Sequence, residues 1–540
     1  MAVTVFRNGR FFTGPADASN DSPPAFPECM IVQDDLITYI GSGDNADVTH
    51  AIQSGGHEYD MDGRTVLPGF IDGHMHLMLL GQSLNKIDLT PCKNLADIRA
   101  KIATFALSNP SAPRVGCKCW ITSTIDGEAT AAMLEGIDGV NGRAIFIDAK
   151  DLHSLWCNET ALQELGVQDL PDPAGGKIHR TATGKASGLL SEAAAITYGW
   201  PHFAKVGPME EKVDSLRAAF SAYTAAGYTG AIDMAMDENA WAALQVLRSR
   251  ERIPVRLAAH WIIHPSADES AMLAQVDRAI VLHKQFNIET SPDCRIAGIK
   301  IVCDGVVDSC TAALAEPYSS NGLFCSPLWT PSMLAPVVRK ADVAGLQCAL
   351  HAIGDQAVSN AVATLRDNCV RGHRHRIEHL ELCSREDAIA LGELGITASI
   401  QPVHADPIIL PAWPKLLGDH RCGRAFAYKE MRDGGATLAI GTDTPTAPYV
   451  PFPNLYTATT RRSAREPETI QTVNEHFALP LASAIAAATE GAAYSCFAEQ
   501  WTGKLAAGLK ADFTVVDMTW SPQDLLQAKI REVPLLFMWY

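Results

Sequence analysis

The sequence predicts an α/β protein: a parallel (β/α)8 TIM-like barrel with a small β-sandwich domain built from both chain ends. Apolar strand patterns alternate with amphipathic helical patterns over most of the chain, and eight such strands can be counted. Polar side chains follow several of these strands, where barrel enzymes collect their functional groups. An open doubly wound sheet is the alternative, but the sequence has no glycine-rich phosphate loop to support it.

Both chain ends carry short strand patterns. "AVTVFRNGRFFTG" predicts a hairpin that turns at Asn8 and Gly9, and "ECMIVQDDLITYIGSG" predicts a second hairpin that turns at Asp34 and Asp35. Near the other end, "GKLAAGLKADFTVVDM" predicts a strand that returns to this unit. We therefore predict a composite β-sandwich domain of residues 1–64 plus 499–540.

The barrel is predicted to occupy residues 65–498. Its first strand lies in "TVLPGFIDGHMH", and an insertion at about 89–207 follows it, where barrel insertions shape the mouth of the site. The other seven strands are predicted in "YTGAIDMA", "PVRLAAHWII", "IAGIKIVCDG", "LQCALHAIG", "RHRIEHLEL", "ITASIQP" and "TLAIGTD".

Composition narrows the class of protein. The chain has 540 residues, of which 47% are hydrophobic and 19% charged, as in soluble globular proteins. The formal net charge is -17 and there is no dense Lys/Arg cluster, which argues against a protein that binds nucleic acid. No apolar run is long enough to cross a membrane.

Two further features concern the compartment of the protein. The amino-terminal residues resemble a strand rather than a leader, and the 14 cysteines are scattered as free thiols would be. We expect a cytoplasmic protein, with a homodimer left open.

The first barrel strand places Asp72, His74 and His76 on one face, because side chains alternate along a strand. Ile71 and Met75 fall on the other face, which is apolar. This pattern predicts a strand whose outer face packs on helices and whose inner face opens on a metal site.

Later strands add further donors at their carboxyl ends. These candidates are His74, His76, Lys300, His351, His379 and Asp443, on strands one, four, five, six and eight. Four histidines and a carboxylate suit a borderline divalent ion such as zinc. Each residue also has a structural interpretation, as a hydrogen-bonded core histidine, a loop cap for Asp443 or a supporting acceptor for Asp72. Their recurrence at the ends of separate strands favours the metal site.

Lys300 is the unusual member of this set. By alternation it points into the barrel, where a lone ammonium is costly. We expect either an ion pair with Asp304, which shares its face, or a lysine carbamate formed with CO2. A carbamate is an anionic oxygen donor that can bridge two metals.

The strand motifs "LPGFIDGHMHL", "GIKIVCDG", "LHAIGDQAV", "RHRIEHLEL" and "IGTDTP" resemble the metal-dependent amidohydrolase superfamily. The segments "NETALQELG", "GLLSEAA" and "TAALAEPY" make the chain similar to the branch that includes N-substituted formamide deformylases, amidohydrolase family 3. The resemblance covers nearly the whole chain. It implies that the four histidines bind metal, that Lys300 is the carboxylated bridge and that Asp443 is the catalytic carboxylate.

The resemblance also implies the chemistry. One or two divalent ions, zinc by default, lower the pKa of a bound water, and the resulting hydroxide attacks a carbonyl carbon. Asp443 takes the proton and returns it to the leaving nitrogen. We therefore expect a metal-dependent hydrolase of carbon–nitrogen bonds other than peptide bonds, acting on a small N-acyl or N-formyl amine or amide.

Substrate residues are predicted in two segments. "DLHSLWCNETAL" places His153, Trp156 and Asn158 in the insertion, although a helix start with a core Trp explains it equally well. "SIQPVHADP" places Gln401 and His404 at the end of strand seven. His404 is a candidate electrophile for the substrate carbonyl, with an ordinary loop histidine as the alternative.

Other functions remain open at this point. On the same site, a cyclic amide, a carbamate or an ester is the nearest alternative substrate. A catalytically silent scaffold with a binding or regulatory role is the alternative of another class, but every expected ligand position is filled. A metal-dependent decarboxylase or isomerase would need a basic residue in the pocket, and none is identified.

Overall fold

The computed structural model describes residues 3–15, 24–121, 124–150, 154–173, 176–192 and 194–531. Its strands are β1 (Val3–Arg7), β2 (Arg10–Phe11), β3 (Cys29–Gln33), β4 (Leu36–Gly41), β5 (His57–Asp60), β6 (Thr65–Pro68), β7 (Phe70–Met75), β8 (Ile87–Asp88), β9 (Arg114–Trp120), β10 (Ala144–Ala149), β11 (Ser154–Cys157), β12 (Gly176–Arg180), β13 (Ala186–Glu192), β14 (Tyr228–Met236), β15 (Arg256–Ile263), β16 (Cys294–Val302), β17 (Gln347–Ala352), β18 (Arg376–His379), β19 (Thr397–Ile400), β20 (Leu438–Ile440), β21 (Phe513–Asp517) and β22 (Lys529–Arg531).

The α-helices lie between and around these strands. They are α1 (Ala46–Gln53), α2 (Leu77–Leu84), α3 (Leu95–Ser108), α4 (Glu159–Leu165), α5 (Trp200–Val206), α6 (Met209–Ala225), α7 (Glu238–Arg250), α8 (Glu269–Gln285), α9 (Pro331–Val343), α10 (Asp355–Asn368), α11 (Arg385–Leu394), α12 (Trp413–Leu417), α13 (Asp419–Cys422), α14 (Tyr428–Asp433), α15 (Pro451–Thr460), α16 (Leu481–Ala487) and α17 (Glu490–Ser495).

Eight parallel strands form the barrel, in the order β20-β19-β18-β17-β16-β15-β14-β7. Hydrogen bonds between its two ends bring the last strand back to the first: Asp443 N–H donates to His74 O at 2.7 Å, and His76 N–H donates to Thr444 O at 3.1 Å. Each strand overlaps one of the eight predicted segments, and β14 and β16 extend beyond theirs by one and two residues. The structure therefore confirms the predicted (β/α)8 architecture.

Helices cover the outside of the barrel with apolar stripes. In α6, Val213, Leu216 and Phe220 recur at spacings of three and four residues and are buried with Met78 and Leu80 of α2. Side-chain caps set where several helices begin. For example, Asp237 accepts from Ala240 N–H at the start of α7. The barrel core is the largest apolar cluster of the described residues.

Two four-stranded sheets combine both ends of the chain, in the orders β4-β3-β1-β5 and β2-β6-β21-β22. Phe6 and Met30 of one sheet are buried together with Val66 and Val515 of the other, as expected for a small sandwich. The limits 1–64 and 499–540 stay a prediction, and residues 532–540 lie outside the described residues. Strand β6 follows the predicted domain limit but pairs with this unit, and Gly69 alone separates it from β7.

One predicted hairpin is present and the other is not. Strands β3 and β4 pair antiparallel around Asp34 and Asp35, as predicted. Strands β1 and β2 do not pair and belong to different sheets, and Asn8 between them has a φ of 54°, in the left-handed region. The hairpin prediction at Asn8 and Gly9 was therefore wrong.

The insertion after the first barrel strand forms a mixed six-stranded sheet, in the order β12-β13-β11-β10-β9-β8. It has its own buried core, which includes Ile98, Ile145 and Trp156. None of the helices among the described residues is long and apolar enough to cross a membrane. All 14 cysteines lie within the described residues and are free thiols.

Candidate metal centre

The carboxyl ends of the barrel strands bring the predicted metal ligands to one end of the barrel. His74 lies on β7, Lys300 on β16, His351 on β17 and His379 on β18. His76 follows β7 and caps the start of α2, and Asp443 lies three residues beyond β20. The parallel register places Val302 beside His351 and Ala352 beside His379, which aligns these strand ends.

Asp443 is the side chain on which the histidines converge. Its Oδ1 lies 3.0 Å from His76 Nε2 and 3.4 Å from His74 Nε2, and its Oδ2 lies 3.6 Å from His404 Nε2. Burial alone would raise the pKa of this carboxyl, but His74 and His76 hold it well below its usual range. Asp443 is therefore ionised and able to act as a ligand or a base.

The remaining histidines complete the cluster. The ring of His379 lies 4.9 Å from the ring of His74 and 4.4 Å from that of His351, measured between centroids. One donor atom each from His74, His379 and Asp443 lies within 4.8 Å of the others. Burial lowers the pKa of His351 to about 3 and that of His379 well below its ordinary value. Both imidazoles are neutral, which is the form that binds metal.

Two ligand positions adopt an unusual backbone. His379 and Asp443 have φ values of 76° and 55°, and Leu380, directly after His379, has a φ of 53°. Non-glycine residues rarely adopt this left-handed region, and the strain is tolerated where a site requires a particular side-chain direction. Here it turns the ends of β18 and of the segment after β20 toward the centre of the barrel.

His74 is held by a pair of residues to which the sequence assigned no role. Its Nδ1 donates to Glu378 Oε2 at 2.7 Å, and Arg376 Nε donates to Glu378 Oε1 at 2.7 Å. Arg376 Nη2 also donates to Gly73 O at 2.6 Å. Because Nδ1 is engaged, Nε2 of His74 faces Asp443. All of these side chains are buried.

Lys300 does not form the ion pair that was one of its two predicted outcomes. Asp304 instead accepts the backbone N–H groups of Ala313, Ile353 and Gly354. Among the described residues, the Nζ of Lys300 has no hydrogen-bond partner, and burial lowers its pKa to about 8. The other predicted outcome, a carbamate, stays a prediction.

The donor set fits a divalent metal. Nδ1 of His379 and Nζ of Lys300 are both buried and have no hydrogen-bond partner within the part of the chain that the structure describes. Such atoms are costly unless something binds them. Together with the ionised Asp443 and the neutral His351, they form a nitrogen and oxygen set of the kind that zinc and similar ions accept.

Asp72 has the supporting role that was its structural interpretation. Its Oδ1 accepts the backbone N–H groups of His74 and Thr442, and its Oδ2 accepts the hydroxyls of Tyr223 and Thr442. The carboxylate therefore ties the first barrel strand to the segment that carries Asp443.

The predicted substrate residues divide into two groups. His153 lies outside the described residues. Trp156 is buried in the core of the insertion and donates to Thr130 O at 2.9 Å, while Asn158 caps α4 and also contacts Ile145 N–H and Arg143 O. These contacts are structural, and the substrate role of this segment stays a prediction.

The second group lies beside the metal cluster. His404 sits in a short 3₁₀ helix, Pro402–Ala405, between Asp443 and Glu381, and its ring stacks on that of His379. Burial alone would lower the pKa of His404, but Glu381 and Asp443 raise it above its ordinary value. Gln401 is buried, and its Oε1 lacks a partner among the described residues.

A second group of metal-capable side chains lies at the opposite end of the barrel. Asp342 Oδ1 lies 2.5 Å from His373 Nδ1 and 2.8 Å from His375 Nε2. The N–H of Cys348 donates to His375 Nδ1 at 3.0 Å, so the proton of neutral His375 is on Nε2 and points at Asp342. This cluster is therefore a hydrogen-bonded brace, because no nitrogen of His375 is free for a metal.

Comparison with known proteins agrees with this geometry. Residues 57–534 match the amidohydrolase family. Protein LONG AFTER FAR-RED 3 of Arabidopsis thaliana is 28% identical over 96% of this chain and 87% of its own length. The N-substituted formamide deformylase of Arthrobacter pascens is 22% identical over 96% of this chain and 94% of its own. A crystal structure of an uncharacterised metal-dependent hydrolase from Pyrococcus horikoshii superposes with a TM-score of 0.78 at 22% identity, covering 96% of this chain and 98% of that one.

A (β/α)8 barrel with histidines and an aspartate at its carboxyl end is the architecture of metal-dependent hydrolases. This chain belongs to the amidohydrolase family. The family match and the donor cluster together support a hydrolase that uses a divalent metal.

Proposed function

We propose that this protein hydrolyses a carbon–nitrogen bond other than a peptide bond, in a small N-acyl or N-formyl amine. The observation that carries the proposal is the position of Asp443, which lies between His74 and His76 on one side and His404 on the other. A carboxylate in that place can both contact the metal and exchange a proton with the reacting atoms.

The metal would be held by His74, His76, His351, His379 and Asp443, with Lys300 as a further ligand. Zinc is the proposed ion, because imidazole and carboxylate donors suit it. When bound, the metal supplies a Lewis acid that polarises the substrate carbonyl and lowers the pKa of the attacking water.

The side chains of the protein supply the proton transfers. Asp443 is ionised and accepts the proton of the attacking water, then delivers it to the departing nitrogen. His404 places Nε2 beside Asp443 and Nδ1 beside Glu381, and its raised pKa favours the doubly protonated ring. In that form Nε2–H can donate to the carbonyl oxygen as negative charge develops there. Gln401 Oε1 is a buried acceptor available for a substrate N–H group.

Lys300 is proposed to be carboxylated in the metal-loaded protein. Its Nζ is buried, has no hydrogen-bond partner in the part of the chain that the structure describes, and has a lowered pKa. The lowered pKa increases the share of neutral amine, which is the form that reacts with CO2. The carbamate would convert a costly buried ammonium into an anionic metal ligand.

The preference for N-acyl or N-formyl amines is supported by the similarity to the deformylase, whose name states that it acts on N-substituted formamides. Cyclic amides, carbamates and esters place a carbonyl in the same position and remain competing substrates. A panel of the four classes separates them by kcat/KM.

The first experiment is elemental analysis of protein purified without chelators, followed by hydrolysis assays on this panel. About two metals per chain would support a bridged site with carboxylated Lys300, and about one would reduce Lys300 to a single-site role. Zero metal, even after reloading with zinc, would overturn the hydrolase assignment.

Asp443→Asn tests the role of the carboxylate. We expect most of the metal to remain bound and kcat to fall by about 1,000-fold or more, because proton transfer typically contributes 10²–10⁴-fold. Asp367→Asn is a matched control, since Asp367 is exposed and pairs with Arg366 on the surface of α10. Near-normal turnover in Asp443→Asn would exclude the role given to Asp443.

A further inference from the structure

Glu381 is a buried carboxylate that the sequence analysis did not single out. It follows the left-handed residues His379 and Leu380, and only 7% of its surface is exposed. Its backbone is fixed on both sides, because Leu382 N–H donates to Ile353 O and Phe426 N–H donates to Glu381 O. The side chain therefore has a defined direction at the end of β18.

The side-chain partner of Glu381 is His404. Glu381 Oε1 lies 3.3 Å from His404 Nδ1. A buried carboxylate is costly unless it is paired, and Asp308 and Asp443 add like charge nearby. The contact with His404 offsets part of this cost, since it favours the ionised form of Glu381.

The contact decides which nitrogen of His404 faces the metal cluster. A carboxylate only accepts hydrogen bonds, so the proton at this contact must be on Nδ1. Nε2 then points to Asp443 Oδ2 at 3.6 Å, and the ring stacks on His379 with an interplanar angle of 8° and a centroid distance of 5.9 Å. The N–H of His404 also donates to Gln401 O at 2.9 Å, which anchors the backbone.

We propose that Glu381 is a positioning residue that holds the His404 imidazole with Nε2 aimed at the reacting carbonyl. The proposal rests on the proposed function, in which doubly protonated His404 donates from Nε2 to the carbonyl oxygen while Nδ1–H is held by Glu381. A hydrogen-bond acceptor behind a histidine fixes the orientation of its ring, and loss of such a supporting group commonly costs 10–100-fold in activity or metal affinity.

The orientation of the ring requires an acceptor of the right length, and the charge of Glu381 acts separately by raising the pKa of His404. Glu381→Gln keeps an oxygen at this position, so we expect the maximal kcat of its pH profile to lie within about threefold of the wild-type maximum. Glu381→Met has a similar volume but no acceptor, and Glu381→Asp has a carboxylate that is too short. Both should lower kcat by about 10–100-fold with KM changed less than threefold. Glu381→Asp carries the test if Glu381→Met does not fold.

A double-mutant cycle shows whether Glu381 acts through His404. We expect Glu381→Met in the His404→Ala background to be no slower than His404→Ala alone, because the side chain to be positioned is gone. Multiplying losses would overturn the proposal. So would a Glu381→Gln variant that is as slow as Glu381→Met, since this would show that charge is needed.

Glu381 also lies near His379 and His404 as a possible metal ligand. Elemental analysis of zinc-loaded Glu381→Gln separates the two roles: unchanged metal content supports positioning, and loss of metal overturns it.

One readout does not depend on turnover. In zinc-loaded protein labelled with ¹⁵N-histidine, the His404 signals are assigned by their loss in His404→Ala. Wild type and Glu381→Gln should show the proton on Nδ1, and Glu381→Met should not. A wild type that hydrolyses no substrate but shows this pattern would remove the proposed function while keeping the positioning. A wild type without the Nδ1 proton would overturn the positioning itself.

Discussion

The two ends of the barrel carry similar sets of side chains with different chemistry. His74, His379 and Asp443 lie at the carboxyl end, and Asp342 lies with His373 and His375 at the amino end. In both sets the donor atoms lie within 4.8 Å of one another. By residue type and spacing alone, either set could be taken for a metal site.

The hydrogen bonds distinguish them. At the amino end, both oxygens of Asp342 are accepting and both nitrogens of His375 are engaged. At the carboxyl end, His379 Nδ1 and Lys300 Nζ are buried and have no hydrogen-bond partner in the described ranges of the chain. Proximity of donors alone therefore does not distinguish the two ends, and the carboxyl end differs because its clustered donors include buried atoms without partners among the described residues.

The largest expected effect comes from removing ligands at the carboxyl end. The double variant His74→Asn and His76→Asn should lose its metal, and kcat/KM should fall by about 1,000-fold or more, because ligands and proton transfer are lost together. Elemental analysis and a hydrolysis assay measure both. The matched control is His373→Asn at the amino end, where metal content should not change. A similar loss of metal in His373→Asn would show that the amino end also binds metal and would contradict the contrast drawn between the two ends.

Asp342→Asn should act on stability instead. The carboxylate is buried and accepts from Val370 N–H, His373 and His375, so the amide would face donors with its NH2 group. We expect the free energy of unfolding to fall by about 3 kcal/mol, with metal content and kcat nearly unchanged. Denaturant unfolding of protein treated with a chelator measures the loss without interference from bound metal.

The same variant has a defined pH dependence. Burial alone would raise the pKa of Asp342, but its hydrogen bonds with Val370, His373 and His375 hold it below the ordinary value. A carboxyl with a lowered pKa in the folded state stabilises the protein above the unfolded value, about pH 4, and the contribution is lost as the pH falls through the folded value. The difference between wild type and Asp342→Asn should therefore shrink in acid. A difference that grows in acid would contradict this assignment.

Much of the barrel and its metal cluster could be predicted because the relevant patterns are local. Strand periodicity and strand–helix alternation predicted all eight barrel strands. Alternation along β7 placed His74 on the inner face, and its position at a strand end placed it in the site. These inferences need only the neighbouring residues in the sequence.

Contacts between distant segments could not be predicted in this way. Glu378 is 304 residues from His74, and its role depends on how the barrel closes. The ion pair of Lys300 with Asp304 is not formed, because Asp304 lies beyond Val302, the last residue of β16, and accepts backbone N–H groups instead. Asn158, by contrast, could have been identified as a helix cap, since it precedes the helical segment "ETALQEL".

Removing the buried side chain of Lys300 at the carboxyl end should change stability in the opposite direction to Asp342→Asn at the amino end. In metal-free protein, Lys300→Met should raise the free energy of unfolding by about 2 kcal/mol, because an apolar chain of similar length replaces a buried ammonium that has no hydrogen-bond partner among the residues described. In metal-loaded protein the same variant should bind one metal fewer. Removing a buried group whose hydrogen bonds are formed, such as the Asp342 carboxylate, lowers the free energy of unfolding. Removing a buried group whose hydrogen bonds are not formed raises it.

The pH dependence sharpens this contrast. Burial lowers the pKa of Lys300 to about 8 in the folded chain, below the unfolded value of about 10.4, so protonation opposes folding. The advantage of Lys300→Met should be greatest below pH 8 and should disappear as the pH rises toward the unfolded value. Chelator-treated protein unfolded in denaturant at several pH values measures it. A loss of stability at neutral pH would mean that other groups of the protein already stabilise the Lys300 ammonium. The two ends of the barrel would then differ only in the number of possible metal ligands, and not in whether those ligands have protein partners.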